Sequence, residues 1–234
     1  VTAVERSGRH SMLVTINEET QLMLSRDIWA ERPLSEGEEL DFEEFSQWLL
    51  PRQYPEALNK AVALLAQRAR SGGEIRQKLE RAHYLEDTID MVLYKLEKER
   101  LLDDEAFARD FAASCARRQM GRTRICMELA RKGLPRSIID RTMEELPQEE
   151  ADEAAIQLAR KLMRRHNGED TRKEMQKVLA AMARRGYSYE DRKEMFDDLI
   201  HMHEDAYCDC RALAEFTLMR EYAENCLKVC EEAI

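Results

Sequence analysis

GRTRICMELARKGLPRSIIDRTMEEL, residues 121–146, is the stretch on which the fold turns. Ile125 and Leu129 recur at helical spacing, and so do Ile139, Met143 and Leu146, which marks two short helices with one apolar face each. Between them stands Gly133, which takes the left-handed conformation of a helix end without steric cost. Pro135 then starts the following helix. Set about fifty residues back, the pattern returns: Leu79 answers Leu129, Tyr84 answers Leu134, Ile89 answers Ile139 and Leu96 answers Leu146. Ser71 falls on Gly121 and Ile75 on Ile125. Set about fifty-three residues forward, Leu129 goes to Met182, Gly133 to Gly186, Leu134 to Tyr187, Met143 to Phe196 and Leu146 to Leu199.

The body therefore reads as three consecutive three-helix units. Each alone is too small to be very stable, and neighbours would share apolar surface. The expected fold is mainly α, with tandem three-helix-bundle repeats forming an elongated curved array. Residues 55–101, 102–147 and 148–203 are the three repeats, and 204–234 form a C-terminal helical extension. Within the first repeat, Ser71 to Glu74 is an S-x-x-E cap opening a helix to about Arg81, and a further helix runs from about Glu86 to Arg100.

Residues 1–54 read differently. Met12–Ile16 and Gln21–Leu24 are short β-favouring runs around Asn17–Thr20, which predicts a hairpin with a four-residue loop, joined by Val1–Arg6 as a third strand. Asp41 then caps a helix through Leu50, with Glu44 completing the capping-box spacing, and Pro51 ends it. Pro55 begins the first helix of the repeats.

Aromatic residues make up 6% and charged residues 36%, a balance that suits solvated helices better than sheets. The net charge of -10 hides a change of sign along the chain. Residues 1–56 carry twelve acids against five bases, whereas 117–136 carry seven bases against Glu128 alone. Residues 160–185 hold nine bases and three acids, and from Gly186 onward there are thirteen acids to five bases. The candidate binding residues follow from this. Arg117, Arg118, Arg122 and Arg124 bracket the turn at Gly121, while Arg131, Lys132 and Arg136 bracket the turn at Gly133. Arg164, Arg165, Lys173, Arg184 and Arg185 form a comparable set in the third repeat. Such ridges fit a phosphate backbone or the acidic surface of a protein; the plainer reading is a solvated helix face. No aromatic residues are interleaved with them, which speaks against base stacking.

Three blocks carry a resemblance: RARS (68–71), LLDDEAFA (101–108) and GRTRICMELARKGL (121–134). In these blocks and their order the chain resembles the RecX family, over about Ala57 to Leu199. That resemblance implies tandem three-helix modules that regulate the RecA recombinase, usually by inhibition, from the groove of the RecA filament on single-stranded DNA. The partner it implies is the RecA filament, with the single-stranded DNA backbone as a further contact. The alternative is a helical repeat protein that binds nucleic acid directly, independent of RecA.

Other classes find little support. There is no Gly-rich phosphate loop, G-x-S-x-G or H-E-x-x-H, so no enzyme is expected. Asp103 and Asp104 read as a helix cap rather than a metal pair. His201, His203, Cys208, Cys210, Cys226 and Cys230 supply zinc-type donors, but without paired C-x-x-C knuckles they read as helix residues, and no metal or cofactor is expected. The six cysteines read as free thiols. With no bilayer-length apolar run and no basic-then-apolar leader, a cytoplasmic monomer is the expectation.

Overall fold

A computed structural model of the chain describes residues 1–8, 11–147, 156–158, 161 and 171–188, with the main chain alone at 171–176. The chain divides into two compact units. Unit 1 is Val1–Ala108 together with Lys132–Pro135; unit 2 is Arg109–Arg131 together with the chain from Arg136 onward.

Unit 1 begins with a three-stranded antiparallel sheet, β1 (Ala3–Ser7), β2 (Ser11–Ile16) and β3 (Thr20–Ser25), in the order β1-β2-β3. Val14 pairs with Val4 on one side and Leu22 on the other. Because side chains alternate along a strand, Val14, Ile16, Leu22 and Leu24 share one face, and all four are buried. The third strand is present. Ile16 faces Thr20, so the loop has three residues rather than four, with Asn17 and Glu18 in the left-handed region. Directly after β3 comes α1 (Arg26–Glu31), whose Ser25 cap accepts from the Ile28 N–H. The sequence reading had no helix there, since six residues are too few to show a period.

Helix α2 (Phe42–Gln67) is the chief departure from expectation. Asp41 caps it as foreseen, its carboxylate accepting from the N–H groups of Glu43 and Glu44. Pro51 does not end it. The helix runs on through Pro51 and Pro55 for 26 residues, and so passes through the 54/55 division. Each proline removes one intrahelical donor, but both prolines are exposed, so the freed carbonyls face water at little cost. Phe45, Leu49, Gln53, Ala57 and Ala61 are buried at spacings of four and form one continuous stripe. Its first half joins the sheet in a core with Ile28, Leu34 and Leu85. Its second half joins α3 (Gly72–Glu80) and α4 (Glu86–Lys98) around Ile75, Leu79, Ile89, Val92 and Leu96. Gln53, fully buried at the junction, donates to the Met23 carbonyl and accepts from the Leu85 N–H. One buried amide thus satisfies two backbone groups that water cannot reach. The Met23 N–H donates in turn to the His83 carbonyl at 2.9 Å.

The second helices of the first two repeats, and a third at the matching place, appear as α3, α6 (Arg122–Arg131) and α8 (Thr171–Arg184). Their matched core positions Leu79, Leu129 and Met182 are all fully buried. In unit 2, α5 (Asp104–Arg117), of which Arg109 onward belongs here, α6 and α7 (Arg136–Glu145) precede α8. Ala112, Cys115, Ile125, Ile139, Met143, Val178 and Tyr187 are among the residues buried with them there.

Candidate partner-binding surface

The basic residues divide into those with main-chain work and those open to solvent. Helix C-termini leave carbonyls without intrahelical partners and carry a partial negative charge, so they attract cations. Arg122 donates to the carbonyls of Met143 and Leu146 where α7 ends. Arg124 donates to the Arg184 carbonyl at 3.2 Å, closing the end of α8. Arg118 folds back onto the Ser114 carbonyl and the Cys115 sulfur. These three arginines cap helices in unit 2.

The open cations are Arg117, Arg131, Arg136, Arg184 and Arg185, all exposed. Arg131 pairs with Glu128 at 2.5 Å, yet its side chain remains 76% exposed. Arg136 lies 3.6 Å from Asp140 and is 93% exposed. Arg124 also reaches Glu128, at 3.6 Å. Arg164 and Arg165 lie outside the described residues, as does the side chain of Lys173. Placing Arg117, Arg131, Arg136, Arg184 and Arg185 on unit 2 leaves it with a set of solvent-facing guanidiniums.

Lys132 belongs to unit 1 and is held there. Its ammonium binds Glu74 at 2.8 Å, and Arg68 binds the same carboxylate at 2.8 Å. Burial pushes the Glu74 carboxyl up, but the hydrogen bonds and charges of Arg68 and Lys132 outweigh it and hold its pKa down at about 2. The capping box is therefore half realised. Ser71 accepts from the Glu74 N–H at 3.2 Å as the spacing foresees, while the Glu74 side chain turns to the two cations. Ser71 also donates to the Lys132 carbonyl at 2.5 Å. Close by, Gly73 meets Gly133 backbone to backbone, so that a Cβ on Gly73 would lie 2.5 Å from the Gly133 Cα. Unit 2 repeats the arrangement: the Gly121 N–H donates to the Arg185 carbonyl at 2.9 Å, and a Cβ on Gly121 would lie 2.2 Å from the Gly186 carbonyl.

The acid pair also separates. Asp103 caps α5 by accepting from the Ala106 N–H. Asp104 reaches across to the first N–H of α3, at Gly72, 2.8 Å away. Burial pushes its carboxyl up, against the pull of that hydrogen bond. Among the described residues no group of three or more His, Cys, Asp or Glu is placed to hold a metal ion. Cys115 is buried and Cys126 half-buried, both as thiols, and burial pushes Cys126 away from the thiolate. His201, His203 and the other four cysteines lie outside the described residues, as does the segment 204–234. No helix among the described residues is long and apolar enough to cross a membrane.

Sequence reasoning named Glu74 only as a capping acid and Glu128 only as the odd charge, without their ion pairs, and missed Gln53 altogether. The charge count isolated Glu128 as the one acid among the bases, which was a signal. Gln53 gave none beyond its place four residues from two apolar positions.

Comparison with known proteins matches three family models in order along the chain. These are RecX, first three-helix domain, at residues 57–96; RecX, second three-helix domain, at 103–143; and RecX, third three-helix domain, at 148–191. A "Regulatory protein RecX" of Listeria innocua is 30% identical over 192 residues, covering 80% of this chain and 70% of that protein. One of Clostridioides difficile is 26% identical over 207 residues, covering 87% of this chain and 97% of that protein. Two solved structures share the fold. The crystal structure of a regulatory protein RecX has a TM-score of 0.57 at 24% identity, covering 84% of this chain and 98% of that one. That of RecX from Lactobacillus salivarius has a TM-score of 0.59 at 22% identity, covering 64% and 97%.

Proposed function

The chain belongs to the RecX family of regulatory proteins, and from that premise we propose that it binds the RecA filament on single-stranded DNA and inhibits its recombinase and ATPase activity. It acts by binding rather than catalysis, as a cytoplasmic monomer serving homologous recombination and DNA repair. The observation that carries the reading is the ordered match of all three helical domains to one regulatory family. The exposed arginines 117, 131, 136, 184 and 185 supply the means. A nucleoprotein filament offers closely spaced negative charge, and such guanidiniums pair with phosphate or carboxylate by planar forks. Arg164, Arg165 and Lys173 are included in the proposal on the basic run of the sequence alone. Arg118, Arg122, Arg124 and Lys132 contribute through their charge while holding helix ends and Glu74.

The test is RecA ATP hydrolysis on single-stranded DNA as this protein is titrated in. A variant carrying Arg117→Ala, Arg131→Ala and Arg136→Ala is titrated in parallel. The wild type is expected to suppress hydrolysis at amounts well below RecA, and the equally stable variant to need about 10-fold more, as three lost ionic contacts imply. Unchanged hydrolysis under the wild type overturns the regulatory reading. Unchanged hydrolysis together with tight binding to naked single strands, falling steeply with salt, would instead assign the arginines to direct nucleic-acid binding.

A further inference from the structure

Residues 117–136 hold seven bases and a single acid, Glu128. That acid pairs with two of them. One of its oxygens is 3.6 Å from Arg124 and the other 2.5 Å from Arg131. The spacings, four residues back and three on, put all three side chains on one face of α6. Glu128 is only 15% exposed, whereas Arg124 is 47% and Arg131 76% exposed. The carboxylate is thus covered while the two guanidiniums keep a solvent-facing side.

We infer that Glu128 is the built-in counter-ion of this surface, setting the density of negative charge a partner must bring before Arg131, and the edge of Arg124 not held by the Arg184 carbonyl, are released to it. The inference rests on the anion-binding reading above and names its selectivity residue. An ion pair with one partner this exposed is worth about 1 kcal/mol or less. A lone carboxylate on a partner therefore gains nothing by displacing Glu128, since it only replaces one acid with another. A phosphodiester backbone differs, with a charge about every 3.4 Å along a strand. It meets both guanidiniums at once and releases its own condensed counter-ions in doing so. Glu128 thereby selects phosphate polyanion over scattered acidic side chains. The contrast is the Glu74 carboxylate, equally covered but held at 2.8 Å by each of its two cations, Arg68 and Lys132.

The experiment compares Glu128→Gln with Glu144→Gln, an exposed position on α7 that changes the formal charge equally. Binding of a fluorescent thirty-residue oligodeoxythymidine is followed by anisotropy across a salt series, and RecA ATP hydrolysis is measured on the same proteins. E128Q is expected to bind the oligonucleotide about 5- to 10-fold more tightly than E144Q at 50 mM salt, with a slope steeper by about one to two counter-ions. The gain is expected to vanish when Arg124→Ala and Arg131→Ala are added to both variants. Equal or weaker binding by E128Q, a gain that survives without the two arginines, or no binding by any variant each overturns the inference. The hydrolysis arm separates the two levels: wild-type inhibition without an E128Q effect leaves the regulatory function standing and removes Glu128 from it.

Discussion

Gly73 and Gly133 approach so closely that a methyl group on either would lie 2.5–2.8 Å from the other's Cα. Gly133 is in addition left-handed, at φ +75°. Gly37 has the same handedness with open space around it. The three kinds of constraint give a ranking: Gly37→Ala is expected to cost about 1 kcal/mol from backbone strain alone, Gly121→Ala roughly 1–3 kcal/mol from crowding alone, and Gly133→Ala about 2–5 kcal/mol from both. Urea unfolding midpoints check the order. Glu74 gives a second expectation at this scale. Its folded pKa of about 2 lies below the ordinary carboxylate value, so its contribution is complete above about pH 5 and is lost as pH falls through 4 towards 2. In Glu74→Gln the stability difference from wild type should therefore shrink on acidification, as equilibrium unfolding at pH 7 and pH 3 would show; a difference that stays constant would remove the ion pair from the account. Left-handed Gly133 and Gly186 were legible because a helix end demands them locally. The reason for Gly73 and Gly121 was not, because it consists of another turn about sixty residues further on. Arg122 and Arg124 were legible as charge and illegible as caps for the same reason, their carbonyls lying 24 and 60 residues away at the far end of their reach.

At the scale of the element, α2 shows how a correct local rule yields a wrong boundary. Proline does disfavour a helix interior, but the rule is weighed against what the helix buries, and α2 buries a stripe that joins two cores. Polar Gln53 in mid-stripe concealed the continuity, since its amide is matched to backbone groups from β3 and from the start of α4. Gln53→Leu should leave the Met23 carbonyl and the Leu85 N–H buried without partners, at about 2–5 kcal/mol for the two. Pro51→Ala should act oppositely. Restoring one helical N–H at an exposed site gains up to ~3 kcal/mol of propensity, less the entropy returned to the unfolded chain at about 1 kcal/mol. A raised thermal midpoint is expected for Pro51→Ala and a lowered one for Gln53→Leu. The hairpin itself was readable from alternation. Its loop came out one residue shorter because Thr20 enters the ladder opposite Ile16.

For the molecule as a whole, the repeat was legible because burial repeats with it: Leu79, Leu129 and Met182 are one position seen three times. What replaces a preceding repeat at the N-terminal end was not. The turn after α6 receives the Ser71 hydroxyl and the turn after α8 receives the Gly121 N–H. The turn after α3 receives the N–H of Met23, from a β-strand. The sheet therefore does for the first helical module what each module does for the next, in keeping with the caps that end other repeat arrays. Native-state hydrogen exchange should show it: amides of Val14, Leu22 and Leu24 are expected to open with the same free energy as those of Ile89 and Leu96, as one cooperative body. Separate, weaker protection of the sheet would count against the shared core. A consequence follows for how the protein is made. The sheet is complete in sequence at Ser25, but its core closes only on Leu85 and its edge only on His83. At a synthesis rate of ~5–20 residues per second, the roughly sixty intervening residues leave the nascent sheet open for about 3–12 s. For that interval an unpaired strand edge is presented beside the ribosome, where co-translational chaperones would be expected to hold it.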